Sequence, residues 1–309
     1  MTTITIGTRK SKLAMWQTET VARMLEAHGL KTKITPIETR GDKILDRSIA
    51  KIGSKGVFTE ELEEQLAGGI TDIAVHSAKD MQSTLPPGFE LIAFTEREKS
   101  HDVLVSYQSD LRLDEPRRTI VVGTSSVRRV ALLRHFYPQV RTVPMRGNLQ
   151  TRLRKLKDGA CDALILAYAG VTRMGYDDLI VYDFPVEQFV PPVGQGCIAV
   201  EASQRLSADK RRLIRSFLNH HETELVMRAE RAYLKTLEGG CSIPAFAHAS
   251  LQGDTISLTG GLANLDGSWL LCKTSSGSIE DPEHIGSSLG RDILENNGRE
   301  VLATIKAEL

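Results

Sequence analysis

The chain has 309 residues, 41% of them hydrophobic and 25% charged, with 39 Lys+Arg against 39 Asp+Glu. At ~150 residues per domain, this length predicts about two domains with room for a small third, and the composition excludes a disordered, collagen-like or coiled-coil chain. No apolar run approaches the ~20 residues that span a bilayer, and residues 1–7 lack the basic start and long apolar core of a signal peptide, so the reading is a cytoplasmic protein with no membrane partner.

Residues 4–7 read as a short strand, and Leu13, Trp16, Val21, Met24 and Leu25 mark one face of a helix over 13–28. A strand over 32–38, a helix over 58–66 and a buried strand over 72–75 follow. The alternation resumes with strands at 119–122, 140–143 and 163–167 and helices at 126–136 and 149–157. Ile4-Thr5-Ile6-Gly7-Thr8 is echoed by Ile120-Val121-Val122-Gly123-Thr124, and Leu66, Gly69 and Asp72 by Leu156, Gly159 and Asp162. The fold class predicted is α/β: two doubly wound domains of parallel βαβ units, facing each other across a cleft with ligands at strand C-termini. Two prolines and two glycines in Pro191-Pro192-Val193-Gly194-Gln195-Gly196 predict a rigid turn with close backbone approach, leading into a strand over 198–201. A long helix over 222–237, strand-like runs at 245–251, 255–262 and 268–273, and a helix over 282–296 predict a small α+β domain with an antiparallel sheet. The expected bounds are 1–95 with 195–217, 98–190, and 218–309.

The charge balance conceals a split. Residues 218–309 carry 7 Lys+Arg and 13 Asp+Glu, and the first 217 carry 32 and 26. From Arg117 to Lys157 there are eleven basic residues and no acid, a field that attracts an anionic partner unless it is a plain solvated face. Basic residues also recur at predicted strand C-termini: Arg9, Arg128 and Arg129, Arg146 with Arg152, and Arg173. Helix N-termini prefer acids, so Arg128 and Arg129 at the start of a helix either face an anion or point to water behind ordinary serine N-caps. The turn Gly123-Thr124-Ser125-Ser126 before them offers N–H groups and hydroxyls to an anion. A guanidinium fork suits carboxylate or phosphate. The basic segment holds only Phe136 and Tyr137 for base stacking, so a small polyanion fits better than nucleic acid.

Asp80 closes His76-Ser77-Ala78-Lys79-Asp80 at a strand end, where an acid opposes anion binding. It reads as a general acid or a stabiliser of a cationic intermediate, or else as an ion-pair partner of Lys79 or a nearby Arg. The glycine-rich loop 51–56, with Lys51 and Lys55, reads as a lid over an anionic ligand or a plain surface loop. Cys161, Cys197, Cys241 and Cys272 lack metal-ligand spacing, and no metal is expected. Three of them read as buried small hydrophobes; Cys241, in Gly239-Gly240-Cys241-Ser242, stands apart just after a helix. His220-His221-Glu222 reads as capping and surface.

Seven motifs occur in order: Thr8-Arg9-Lys10-Ser11, Thr39-Arg40-Gly41-Asp42, His76-Ser77-Ala78-Lys79-Asp80, Gly123-Thr124-Ser125-Ser126-Val127-Arg128-Arg129, Arg146-Gly147-Asn148, Val193-Gly194-Gln195-Gly196 and Glu238-Gly239-Gly240-Cys241. Over nearly its whole length the chain resembles the porphobilinogen deaminase (hydroxymethylbilane synthase) family. The resemblance implies two domains like bilobal anion-binding proteins and a third that carries a dipyrromethane cofactor on Cys241 through a thioether. It implies a monomeric transferase of tetrapyrrole biosynthesis. Four porphobilinogen units are joined head to tail with loss of ammonia, and hydroxymethylbilane is released by hydrolysis. By motif position, Asp80 is catalytic, and Lys79, Thr124, Ser125, Ser126, Arg128 and Arg129 are cofactor contacts. Arg9, Ser11, Gln17, Ser77, Arg146, Arg152, Arg173 and Gln195 are substrate or chain contacts. The chain departs from the family pattern at Ala78, where Met is usual, at His101 before Asp102, where Arg is usual, and over Met81-Gln82-Ser83-Thr84. A non-catalytic bilobal anion-binding protein would account for the lobes and arginines, but gives no role to the third domain or Cys241. A nucleic-acid-binding regulator accounts for less.

Overall fold

A computed structural model of the chain describes residues 2–43, 58–114, 118–239 and 242–308. The first sheet is built from β1 (Thr3–Arg9), β2 (Lys31–Ile37), β3 (Ile73–Ser77), β4 (Phe89–Phe94) and a late strand, β10 (Ile198–Ser203). Their order is β2-β1-β3-β10-β4. β1, β2 and β3 are parallel, and β10 runs against both its neighbours. The second sheet uses β5 (Asp102–Val105), β6 (Val121–Gly123), β7 (Arg141–Val143), β8 (Ala163–Ala167) and β9 (Ile180–Asp183), in the order β7-β6-β8-β5-β9. Here β5 is the reversed strand.

The echo in the sequence is an echo in space. Asp72 accepts a hydrogen bond from the Thr5 N–H at 2.9 Å, and Asp162 accepts one from the Val121 N–H at 2.8 Å. Each carboxylate thus pins a helix exit to the neighbouring parallel strand. Both sheets are mixed where purely parallel units were expected. The chain leaves the first sheet through β4, enters the second through β5, and returns through β10, so the reversed strands β5 and β10 both flank a crossover. Periodicity did not reveal β4, β5 or β9. All four residues of β5 are buried, and a strand covered on both faces shows no alternation to read.

Helices cover the sheets. α1 (Lys12–Glu26) and α7 (Ala208–Leu218) bury Val21, Leu25, Ile214 and Leu218 against Ile4, Ile6 and Val200 of the first sheet. Each fully buried side chain of this kind contributes ~1.5–3 kcal/mol. The short α2 (Arg40–Lys43) and α3 (Glu60–Ala67) follow β2. The second sheet buries Leu132 and Leu133 of α4 (Val127–Phe136) in one cluster. Leu153 and Leu156 of α5 (Leu149–Lys157) and Val171 of α6 (Tyr168–Arg173) lie in another. Among the described residues, no helix is long and apolar enough to cross a membrane.

The last part of the chain forms α8 (His221–Thr236), an antiparallel sheet of β11 (Ala245–Gln252), β12 (Thr255–Ala263) and β13 (Leu270–Ser278), then α9 (Pro282–Ile293) and α10 (Arg299–Glu308). His220 caps α8, its Nδ1 accepting from the Thr223 N–H at 3.3 Å, which matches the capping role read for it. Cys161 and Cys197 are buried as expected, but Cys272 is exposed, because the outward positions of β13 alternate into solvent.

The two crossovers touch. Gly196 has a φ of 88°, and a Cβ there would overlap the Glu98 carbonyl oxygen. Left-handed backbone costs an ordinary residue ~1–2 kcal/mol, and forced overpacking ~1–3 kcal/mol. Gly196→Ala is therefore expected to destabilise the protein by about 2–5 kcal/mol, read as a lowered thermal midpoint. An unchanged midpoint would show that the crossovers are not held in contact.

Candidate active site

Asp80 is presented by a short turn. β3 ends at Ser77, and Ala78–Asp80 forms a single turn of 3-10 helix. The Ala78 N–H donates to the Cys197 carbonyl at 2.9 Å, and the Met81 N–H to the Ala78 carbonyl at 3.2 Å. Ala78 and Met81 are buried, while Lys79 and Asp80 between them keep partial exposure. Gly194, at φ 77°, packs so closely that a Cβ would lie 2.9 Å from the Ala78 carbonyl carbon. The close backbone approach expected of the 191–196 turn thus falls on the Asp80 turn itself.

Asp80 lines a cleft together with Arg9, Ser11, Gln17, Phe58 and Ser77. Buried Gln17 donates to the Ser77 hydroxyl at 2.9 Å, locking one wall. Ser11 caps α1 by accepting from the Ala14 N–H at 3.3 Å, and the Arg9 guanidinium lies 4.2 Å from the centre of the Phe58 ring. Four predicted substrate contacts are therefore gathered around the predicted catalytic acid.

A second group forms at the start of α4. Three hydroxyls shape the loop: Thr124 accepts from the Ser126 N–H at 3.2 Å, Ser125 from the Met145 N–H at 2.9 Å, and Ser126 from the Arg129 N–H at 3.5 Å. Arg128 and Arg129 are buried, and both donate to Asp102, at 2.5 and 2.7 Å. The acid missing from the basic segment is thus supplied by β5, which the sequence reading did not identify as a strand. Burial by itself would raise the Asp102 carboxyl, but Arg128 and Arg129 hold it well below the usual carboxylate range. Gln195 joins the network: its Nε2 donates to Asp102 at 2.9 Å and to the Ser100 carbonyl at 2.7 Å, and its Oε1 accepts from Lys79 at 3.2 Å. Asp102 was not among the site residues expected; its one signal was a charged residue opening the apolar run Val103-Leu104-Val105.

Positive charge remains in excess. Burial, and then Arg129, lowers the Lys79 ammonium to about 8. Burial, and then Arg129, lowers Arg152 to about 10, and its Nε donates to the Gly147 carbonyl at 2.7 Å. The Nε atoms of Arg128 and Arg129 and one Nη of Arg146 are buried without a hydrogen-bond partner among the described residues. Each such N–H costs ~1–3 kcal/mol until an acceptor reaches it. A ligand bearing several carboxylates fits this donor set.

Other expected residues lie elsewhere or out of view. Arg173 sits at the crossover, donating to the Gly196 carbonyl at 2.7 Å with its guanidinium 5.4 Å from the Trp16 ring centre. His101 pairs with Asp183 at 2.7 Å and packs on Tyr168. Cys241, Lys51 and Lys55 lie outside the described residues. Glu230 of α8 was not anticipated: it pairs with Arg97 at 2.5 Å and accepts the Gly194 and Ala249 N–H groups, each at 2.8 Å.

Asp102→Asn removes the one carboxylate that pairs with both buried guanidiniums and leaves them without a countercharge, and a loss of about 3–5 kcal/mol in stability is expected. The native pKa is lowered, so the carboxylate's contribution is full above the ordinary aspartate value of ~3.9 and fades only as pH falls below it. The gap in thermal midpoint between wild type and Asp102→Asn should stay constant from neutral to mildly acid pH and then narrow. A gap that is small at pH 7 would mean the pair is not sealed from water.

The family model for the porphobilinogen deaminase, dipyromethane cofactor binding domain, matches residues 4–211, and that for the porphobilinogen deaminase C-terminal domain matches residues 225–295. A porphobilinogen deaminase of Desulfosudis oleivorans is 59% identical over 99% of this chain and 98% of its own length. One from Cytophaga hutchinsonii is 53% identical, again over 99% and 98%. Among solved structures, the periplasmic VFT2 domain of Bordetella pertussis BvgS aligns with 69% of this chain and 85% of its own at 15% identity, with a TM-score of 0.41. By both family models and by identity along nearly its whole length, the chain belongs to the porphobilinogen deaminase family.

Proposed function

We propose that the chain joins four porphobilinogen units head to tail, with loss of ammonia, on a dipyrromethane held by Cys241 through a thioether, and releases hydroxymethylbilane by hydrolysis. It acts in the cytoplasm as a monomer. The three-domain division at 1–95 with 195–217, 98–190 and 218–309 is part of this reading. Supporting it above all is one juxtaposition: a carboxylate in a cleft with Arg9, Ser11, Gln17 and Ser77, on a chain whose Arg128 and Arg129 Nε and one Arg146 Nη are buried without an acceptor among the described residues.

The dipyrromethane supplies the free pyrrole carbon to which the first incoming unit is joined. Each porphobilinogen brings an acetate and a propionate, so every addition brings two more negative charges. Lys79, Thr124, Ser125, Ser126, Arg128 and Arg129 hold the cofactor carboxylates. Arg9, Ser11, Gln17 and Ser77 hold the incoming unit, and Arg146, Arg152, Arg173 and Gln195 the lengthening chain. Loss of ammonia from the substrate leaves an electron-poor methylene pyrrole. Asp80 accepts the hydrogen bond of its ring N–H and stabilises the positive charge there. A cysteine suits the anchoring role because a thiolate attacks such an electrophile readily.

The intact protein is expected to be heavier than its chain by two pyrrole units, and Cys241→Ser to lack that mass. An adduct on Cys161, Cys197 or Cys272 would overturn the assignment. Asp80→Asn should keep the bound dipyrrole and lose ~10²–10⁴-fold in turnover, a typical acid–base contribution; a loss of only a few-fold would reduce Asp80 to an ion-pair partner.

Lys79 adds a pH signature. Its ammonium is charged below about 8 and neutral above, so attraction for carboxylates is present at lower pH and fades as pH rises through that value. Uptake of porphobilinogen by the apo-protein should weaken above pH ~8, and Lys79→Met should remove that limb. Survival of the limb in Lys79→Met would assign it to another group.

A further inference from the structure

The segment after Asp80, Met81-Gln82-Ser83-Thr84, is held by a charged donor from α8. Arg231 of α8 donates through Nη2 to the Gln82 carbonyl at 2.8 Å and to the Ser83 carbonyl at 3.4 Å. Burial pushes its guanidinium down to about 10, opposed by Glu201 of β10. A charged donor withdrawn from water and aimed at carbonyls makes strong hydrogen bonds. The flanks of the Asp80 turn are held by the same helix: Ala78 and Met81 belong to one apolar cluster with Leu225, Met227 and Tyr233 of α8. The turn is therefore bracketed by α8 on its apolar flanks and at its exit, and α8 leads directly into the segment containing Cys241.

We infer that Arg231 is a positioning residue: through the Gln82 and Ser83 carbonyls it fixes the Asp80 turn against α8, so the C-terminal unit orients the catalytic carboxylate. The inference rests on the role proposed for Asp80. Residues 82–84 themselves lie outside any helix or strand. Displacing a reacting group by about an ångström costs ~10²-fold in rate even when the substitution is remote.

The test measures kcat and KM for porphobilinogen, bound dipyrrole by intact mass, and thermal midpoint. The variants are Arg231→Gln, Arg231→Lys, Asp80→Asn and the double variant Asp80→Asn/Arg231→Gln. Arg231→Gln should keep the dipyrrole and a near-normal KM while kcat falls roughly 10–100-fold. Arg231→Lys, which restores a charged donor to one carbonyl, should recover part of that loss. The double variant should be no slower than Asp80→Asn alone, because residues acting through one group are not additive. A merely structural Arg231 would instead slow both backgrounds equally, and that result overturns the inference. So does wild-type kcat in Arg231→Gln when Asp80→Asn is inactive. If Asp80→Asn keeps its turnover, the reading of Asp80 fails and the inference falls with it. If Arg231→Gln does not fold, Arg231→Lys alone and combined with Asp80→Asn makes the same comparison.

Discussion

Asp102, fully buried at the start of β5, accepts hydrogen bonds from Arg128, Arg129 and Gln195. An unpaired carboxylate in that position would be untenable, and two unpaired guanidiniums equally so. The net stability of such a triad is modest, but the loss of any member is severe, so it acts mainly to fix geometry. It fixes the start of α4, and with it the Thr124, Ser125 and Ser126 hydroxyls. It also fixes Gln195, whose carbonyl oxygen reaches Lys79 beside Asp80. One carboxylate in the second sheet therefore sets the position of groups on the first.

The charge arithmetic of the site follows. Asp102 neutralises one of two arginines, which leaves the cluster cationic around Lys79, Arg146 and Arg152. Partial burial lowers Lys79 and Arg152 first, and the nearby Arg129 charge lowers them further. An anionic ligand offsets that repulsion. The chain as a whole is neutral, so attraction for a polyanion comes from local placement and not from net charge. Asp80 is the exception in this field, a carboxylate in the cleft lined by Arg9, Ser11, Gln17 and Ser77.

The C-terminal unit is more than a tether for Cys241. Through Glu230 it joins Arg97 and the Gly194 N–H, gripping both crossovers. Through Arg231 and its apolar cluster it grips the Asp80 turn. On the other lobe, Arg134 donates to the Leu265 carbonyl at 3.1 Å and His135 to the Gly267 carbonyl at 2.9 Å, tying α4 to the β12–β13 turn.

Features encoded by neighbours in the chain were legible from sequence alone. The parallel strands, the helices with one apolar face, the Asp72 and Asp162 echo and the basic residues at strand ends all depend on short-range periodicity and turn chemistry. The order of the motifs was enough to indicate the family. Tertiary structure alone decided the rest, because it rests on pairs far apart in the chain. The reversed direction of β5 and β10 arises because each crossover inserts a strand into a sheet begun elsewhere, although β10 itself was legible as a strand over 198–201. Arg128 and Arg129 looked acid-free because their carboxylate lies in a buried strand without alternation. Arg231 meets the Gln82 and Ser83 carbonyls only because α8 packs near the Asp80 turn, far from it in the chain. Local pattern named the chemical groups; burial and chain crossing determined which of them meet.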